Sequence, residues 1–140
     1  EPFIKEARAL RASVLRHPPG HIQRTAAYFL SLGHYDALIR KMSRMLSDRR
    51  RVMDDAIKTC GLAVAGRAYF GGSSFWMQAP DGVDTRDLAN KLVPKGVLIE
   101  PGHSFFAQPN PPQQFYRLAY SSIGAERIGE GVAKIAGELT

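Results

Sequence analysis

Helical spacing governs the first sixty residues of this 140-residue chain, and at Gly61 it gives way to short apolar runs separated by glycine and proline. A period near 3.6 buries one stripe of a helix, whereas a brief run bounded by Gly or Pro suffices only for a strand or a turn. The change predicts an α+β fold: a long N-terminal helical region, then a small, mostly antiparallel sheet packed by helices. Residues 1–140 are read as one domain, with a helical part over 1–60 and a mixed sheet and helix part over 61–140. Its length, with 44% apolar and 23% charged residues, suits one globular core.

Within the helical part, Ile4, Ala7, Leu10 or Arg11, Val14 and Leu15 form an apolar stripe over residues 3–16, opposite Lys5, Arg8 and Arg16. His17-Pro18-Pro19-Gly20 stops that helix, because two prolines remove two backbone donors and push the residue before each out of the α region. A second helix over 22–32 is expected to turn Ile22, Ala26, Phe29 and Leu30 inward and to close at Gly33. The third and longest, 35–60, carries Leu38, Met42, Met45, Leu46, Val52, Met53, Ala56, Ile57 and Cys60 along one side.

Beyond Gly61 the expected order is a short strand over 62–65, a loop over 67–72 and a strand over 73–79. A Pro80-Asp81-Gly82 turn follows. Asp84 and Asp87 resemble a capping box, and Val83 against Leu88 a hydrophobic staple, so a helix is predicted over 85–92, ended by Pro94. Val97-Leu98-Ile99 reads as a short buried strand, Pro101-Gly102 as a turn, and 109–112 as a loop barred by its prolines from a sheet ladder. A strand over 115–121 and a helix from about Ile123 complete the chain, the helix burying Ile128, Val132, Ile135, Ala136 and Leu139.

No run approaches the ~18 apolar residues of a membrane span, and the start lacks both an initiator Met and a signal peptide's apolar block. A cytoplasmic fragment with no membrane partner is the expectation. Cys60 is the single cysteine, so an internal disulfide and a CxxC metal clip are excluded, and a buried thiol is expected. The net charge of +6 lies largely on Arg40, Lys41, Arg44, Arg49, Arg50, Arg51 and Lys58, interleaved with Asp48, Asp54 and Asp55. Mixed signs on a helix describe a solvated face more often than a nucleic-acid site.

Most candidate chemistries fail on spacing. His103-Ser104 lacks a Gly-x-Ser-x-Gly elbow. The four histidines, His17, His21, His34 and His103, have no i, i+4 pairing, and Gly71-Gly72 has no Walker lysine. Arg117 differs, being an arginine inside the otherwise apolar run Phe115-Tyr116-Arg117-Leu118-Ala119-Tyr120. Alternation places it with Phe115 and Ala119 on one face, beside the Pro101-Gly102 turn and the aromatics Phe105 and Phe106. A permanent charge there requires a carboxylate or phosphate, and a rigidly held planar fork suits bidentate carboxylate recognition. An internal ion pair with an Asp or Glu meets the same requirement.

Gly96-Val97-Leu98-Ile99-Glu100-Pro101-Gly102, Phe105-Phe106, Tyr116-Arg117-Leu118-Ala119-Tyr120 and Ile128, Gly131-Val132, Leu139 together resemble the closing segment of fold-type I pyridoxal-phosphate aminotransferases. Upstream, Leu15-Arg16-His17-Pro18-Pro19, Gln23, Gly33-His34-Tyr35, Ile39-Arg40-Lys41-Met42 and Arg49-Arg50-Arg51 resemble the version in MocR-type regulators. In that GntR subfamily a winged-helix DNA-binding domain is joined to an aminotransferase-like domain.

The resemblance implies a C-terminal small domain, with Arg117 on the family's arginine for the α-carboxylate of an amino acid or amine ligand. It implies pyridoxal phosphate in the full-length protein and none bound by this fragment alone. The lysine that bonds the cofactor, the aspartate under its ring and the phosphate-binding residues belong to a large domain outside this chain. None of Lys5, Lys41, Lys58, Lys91, Lys95 or Lys134 has the expected Ser-x-x-Lys setting. His103, Ser104 and Pro94 depart from common family residues. Further implied partners are that large domain, a winged-helix domain through which DNA would be bound, and a second copy in a homodimer. Three functions stay open: a regulator's effector-binding part, the small domain of a metabolic aminotransferase, and an unrelated basic binding module.

Overall fold

A computed structural model describes residues 1–66 and 72–140. Most of the loop expected over 67–72, and with it Gly71 of the Gly71-Gly72 pair, lies outside the described residues. The chain divides into two compact units, Glu1–Met42 and Ser43–Thr140.

The first unit holds α1 (Pro2–Val14), α2 (Gly20–Ser31) and the start of α3 (His34–Thr59). Pro2 sits in the first turn of α1, where its missing N–H costs nothing. Gly33, at a φ of +73°, separates α2 from α3. The inward stripes expected here are not buried. Neither α1 nor α2 covers a single residue, and Phe3, Leu10 and Val14 are 79%, 68% and 71% exposed. Periodicity reports that a helix can bury a face; burial itself needs an opposing surface, and these two helices have none among the described residues.

The second unit contains the core. Its elements after α3 are β1 (Ala63–Val64), β2 (Ser74–Gln78), α4 (Thr85–Leu92), β3 (Glu100–Pro101), β4 (Phe115–Ala119) and α5 (Ala125–Leu139). The strands form one sheet in the order β1-β2-β4-β3, with every pairing antiparallel. The expected α+β architecture is therefore present. Met77 lies across from Tyr116, and Phe75 from Leu118. Met77, Tyr116 and Leu118 are buried in a cluster with Met53 and Ile57 of α3, Leu88 and Leu92 of α4, and Ile128, Val132 and Ile135 of α5. Each such aliphatic side chain contributes roughly 1.5–3 kcal/mol on burial. Cys60 is half-buried against this cluster as a free thiol.

The predicted helix over 85–92 forms with those bounds. Asp84 caps it by accepting the Arg86 backbone N–H at 2.9 Å, and the Arg86 guanidinium grips the same carboxylate. Those hydrogen bonds hold the Asp84 carboxyl below its ordinary range. Buried Thr85 places its hydroxyl 2.8 and 2.9 Å from the carbonyls of Gln113 and Phe115, tying α4 to the entry of β4.

The strand expected at Val97-Leu98-Ile99 is absent. A 3-10 turn, Val93–Lys95, follows α4, and Gly96 then adopts a left-handed φ of +74°. The Val97 N–H closes the end of α4 by donating to Leu92, so it is not available to a sheet. Val97 and Ile99 pack on the core, Leu98 is 80% exposed, and pairing begins at Glu100. Pro101 falls in the edge strand, where a missing donor is tolerated.

Candidate functional site

Arg117 sits on β4 between Tyr116 and Leu118, whose burial on the opposite face locks the strand. Its neighbours across the sheet are Trp76 on β2 and Glu100 on β3. Arg117, Trp76 and Phe115 therefore share the face turned away from the helical core. The Trp76 ring stacks on Phe115 with centroids 6.0 Å apart and 9° between planes, and meets Phe105 edge-on at 5.4 Å. The Arg117 guanidinium lies 5.6 Å from the Phe105 ring centroid, within range of a cation–π contact.

Gly102 allows this approach. A Cβ there would fall 2.5 Å from the Phe115 carbonyl oxygen and 2.9 Å from the Trp76 ring, so only glycine lets the 3-10 turn Gly102–Phe105 lie against the sheet. Phe105 is thus brought to Arg117 as expected, whereas Pro101 of the expected turn pairs in β3 instead, and Phe106 packs against Trp76 and Phe115.

The electrostatics centre on one ion pair. Arg117 Nη2 donates to Glu100 Oε1, and that hydrogen bond raises the guanidinium pKa further above its ordinary value. Both side chains are partly open to solvent, at 37% and 50% exposed, so water screens the pair. Arg117 Nε is buried and has no hydrogen-bond partner among the described residues. The internal ion pair weighed from the sequence is therefore present, and it leaves part of the fork unused. An open groove of about 580 Å³ adjoins the pair, lined among others by Leu98, Glu100, Arg117, Ile123 and Arg127.

The other candidates do not assemble. Ser104 points its hydroxyl at the Pro101 carbonyl, 3.4 Å away, and His103 Nδ1 is buried without a partner, so no triad forms. No cluster of His, Cys, Asp or Glu suited to a metal exists among the described residues. Arg49 and Arg50 serve the fold. Arg49 donates to the Ser121 carbonyl at 2.5 Å, and Arg50 lies 5.7 Å from the Phe75 ring centroid. Sequence reasoning missed Glu100 and Trp76 as neighbours of Arg117. The Glu100–Arg117 pairing spans the long connection over residues 102–114, so no local signal marked it.

No protein-family model matches the chain. The sequence is 60% identical over 138 residues to the HTH-type transcriptional regulator TauR of Rhodobacter capsulatus, covering 99% of this chain and 28% of that protein. It is 29% identical to aromatic-amino-acid aminotransferase 1 of Thermococcus litoralis, over 96% of this chain and 32% of that one. Among solved structures, LysN, the alpha-aminoadipate aminotransferase of Thermus thermophilus complexed with N-(5'-phosphopyridoxyl)-L-leucine, matches with a TM-score of 0.80 and 26% identity. That match covers 99% of this chain and 35% of LysN.

With its antiparallel sheet and flanking helices, the chain has the small-domain fold of the fold-type I aminotransferases and is similar to them in sequence. It is also similar to the MocR-type transcriptional regulators of the GntR group. It spans roughly a third or less of the length of these relatives, at 28%, 32% and 35%.

Among the lysines, Lys58 is ion-paired with Asp54. Lys95 and Lys134 are engaged by Glu138 and Glu130. What this chain presents is a guanidinium fork, paired with Glu100, beside an aromatic platform.

Proposed function

We propose that this chain is the effector-binding part of an aminotransferase-like transcriptional regulator, in which Arg117 holds the carboxylate of an amino acid or amine ligand. The observation that carries the reading is the Arg117 guanidinium, fixed on a strand, in cation–π range of Phe105, partly exposed and bonded through Nη2 to a single oxygen of Glu100. A carboxylate is the planar acceptor such a fork matches. The exposed apolar stripes of Glu1–Met42 and the threefold greater length of the relatives support a longer protein whose large domain covers those stripes. Pyridoxal phosphate, held by that large domain, supplies the electrophile for the ligand's amine. Arg117 orients the ligand by its other end, and closure of the small domain over it biases a winged-helix domain on DNA, within a homodimer.

The runner-up is the small domain of a metabolic aminotransferase, favoured by the LysN match. The coding sequence upstream of residue 1 separates the two: a winged-helix region before the large domain marks the regulator. The unrelated basic module is displaced by the aminotransferase fold.

The test is made in the longer protein. Arg117→Ala should raise the L-amino acid concentration needed for the DNA response by about tenfold or more, the scale of a lost charge-assisted hydrogen bond. The response to amines lacking a carboxylate and the cofactor's absorbance should not move. An unaltered amino acid response would make Arg117 structural only.

A further inference from the structure

We infer that Glu100 is a specificity-determining residue: its carboxylate occupies the Arg117 fork as an internal stand-in for a ligand carboxylate, and must be displaced before one binds. The inference rests on the reading of Arg117 as a carboxylate holder and says what that site selects.

The geometry makes Glu100 a replaceable partner. It stands directly opposite Arg117 in the β3–β4 register, so its reach to the guanidinium is set by the sheet. Yet it meets only Nη2, through one oxygen, while Nε stays buried without a partner among the described residues. A carboxylate that places its two oxygens on Nη1 and Nη2 makes two charge-assisted bonds where Glu100 makes one. Among the described residues no other bond holds the Glu100 side chain: it is half exposed, β3 is two residues long, and the preceding Leu98 is exposed. The carboxylate can therefore leave for the adjoining groove or for solvent.

Displacement has a consequence for selectivity. While Glu100 is paired, the two side chains are neutral together. A monocarboxylate that takes the fork leaves the Glu100 charge free within a side-chain length of the ligand. A ligand whose other end is cationic or neutral tolerates that neighbour. A second carboxylate on the ligand is repelled by it. Arg127, Lys95 and Lys134 also line the groove, with Glu130 among them and Lys95 and Lys134 already engaged by Glu138 and Glu130. Glu100 is the acidic group in hydrogen-bond contact with Arg117. The site is thus set for amino acids with one carboxylate and against dicarboxylates, through a residue that itself binds no ligand.

The experiment uses this chain, with propionate and succinate as probes and sodium chloride of matched ionic strength as the control. The Arg117 Nε–H resonance is followed by NMR. Propionate should shift it beyond the chloride control, and succinate should half-saturate at a higher concentration per carboxylate. Glu100→Gln should lower the propionate half-saturation at least threefold and abolish the penalty on succinate, with Glu100→Ala as a second variant that removes the acceptor altogether. If neither variant changes either titration while propionate still shifts Arg117, Glu100 is no gate, and the carboxylate role of Arg117 stands. If propionate does no more than chloride in all three proteins, the proposed role of Arg117 fails and this inference falls with it.

Discussion

Helices α1 and α5 carry the same kind of apolar stripe, and only α5 buries it. Ile128, Val132 and Ile135 are 0–1% exposed against the sheet's inner face, while Leu10 and Val14 stand 68% and 71% open. The sequence pattern in both is a statement about capacity. In α5 the capacity meets β2 and β4, whose Met77, Tyr116 and Leu118 fill the opposing surface. In the Glu1–Met42 unit no residue of α1 or α2 is buried, so among the described residues that unit has helices without a core and the second unit has both. The packed core of the described residues therefore lies in the second unit.

The largest expected effect lies in α5. Ile135→Ala should cost about 2–5 kcal/mol in urea denaturation, because it removes a fully buried side chain and leaves a cavity. A loss below about 1 kcal/mol would mean the α5 stripe is no better packed than that of α1.

A smaller effect sharpens the contrast from the other side. Tyr116 is fully buried with a hydroxyl unpartnered among the described residues, and burial pushes its phenol up from 10.0 to about 12. Because the folded value is raised, the stability linked to this proton is complete below pH 10 and is lost as pH climbs toward 12. Tyr116→Phe should stabilise by about 1 kcal/mol at neutral pH, since it removes a desolvated group that makes no bond. It should also shrink the alkaline loss of stability measured by chemical denaturation. A destabilised variant would reveal a partner for the hydroxyl.

The smallest effect is the direct counterpart of the first. Leu10→Ala in this chain should change stability by no more than about 0.5 kcal/mol, as expected for an exposed position. A cost rivalling that of Ile135→Ala would show the α1 stripe buried in solution and would erase the distinction between the two units.

Much of the second unit was legible in the sequence. Asp84 signalled the start of α4 because a carboxylate cap is a local bond to the Arg86 N–H, needing nothing distant. Arg117 announced a carboxylate partner, since a charge in an apolar strand demands one. Val97-Leu98-Ile99 misled because β-branched and apolar residues report a packed environment as readily as a sheet. Two of the three do pack on the core, but the chain had already turned at Gly96 and committed the Val97 amide to α4. Glu100 was hidden for a related reason: its pairing with Arg117 depends on register across an intervening 3-10 turn and loop, and composition carries no trace of register.

By itself, then, the sequence determined where helices begin and stop, the α+β class, and that Arg117 requires an anion, because caps, breaks and the cost of an unpaired charge act over a few residues. Only the tertiary structure decided which stripes are buried, where the edge strand starts, and that Glu100 already occupies the arginine fork. Burial and cross-strand pairing belong to the surface that lies opposite a residue, and that surface comes from elsewhere in the chain.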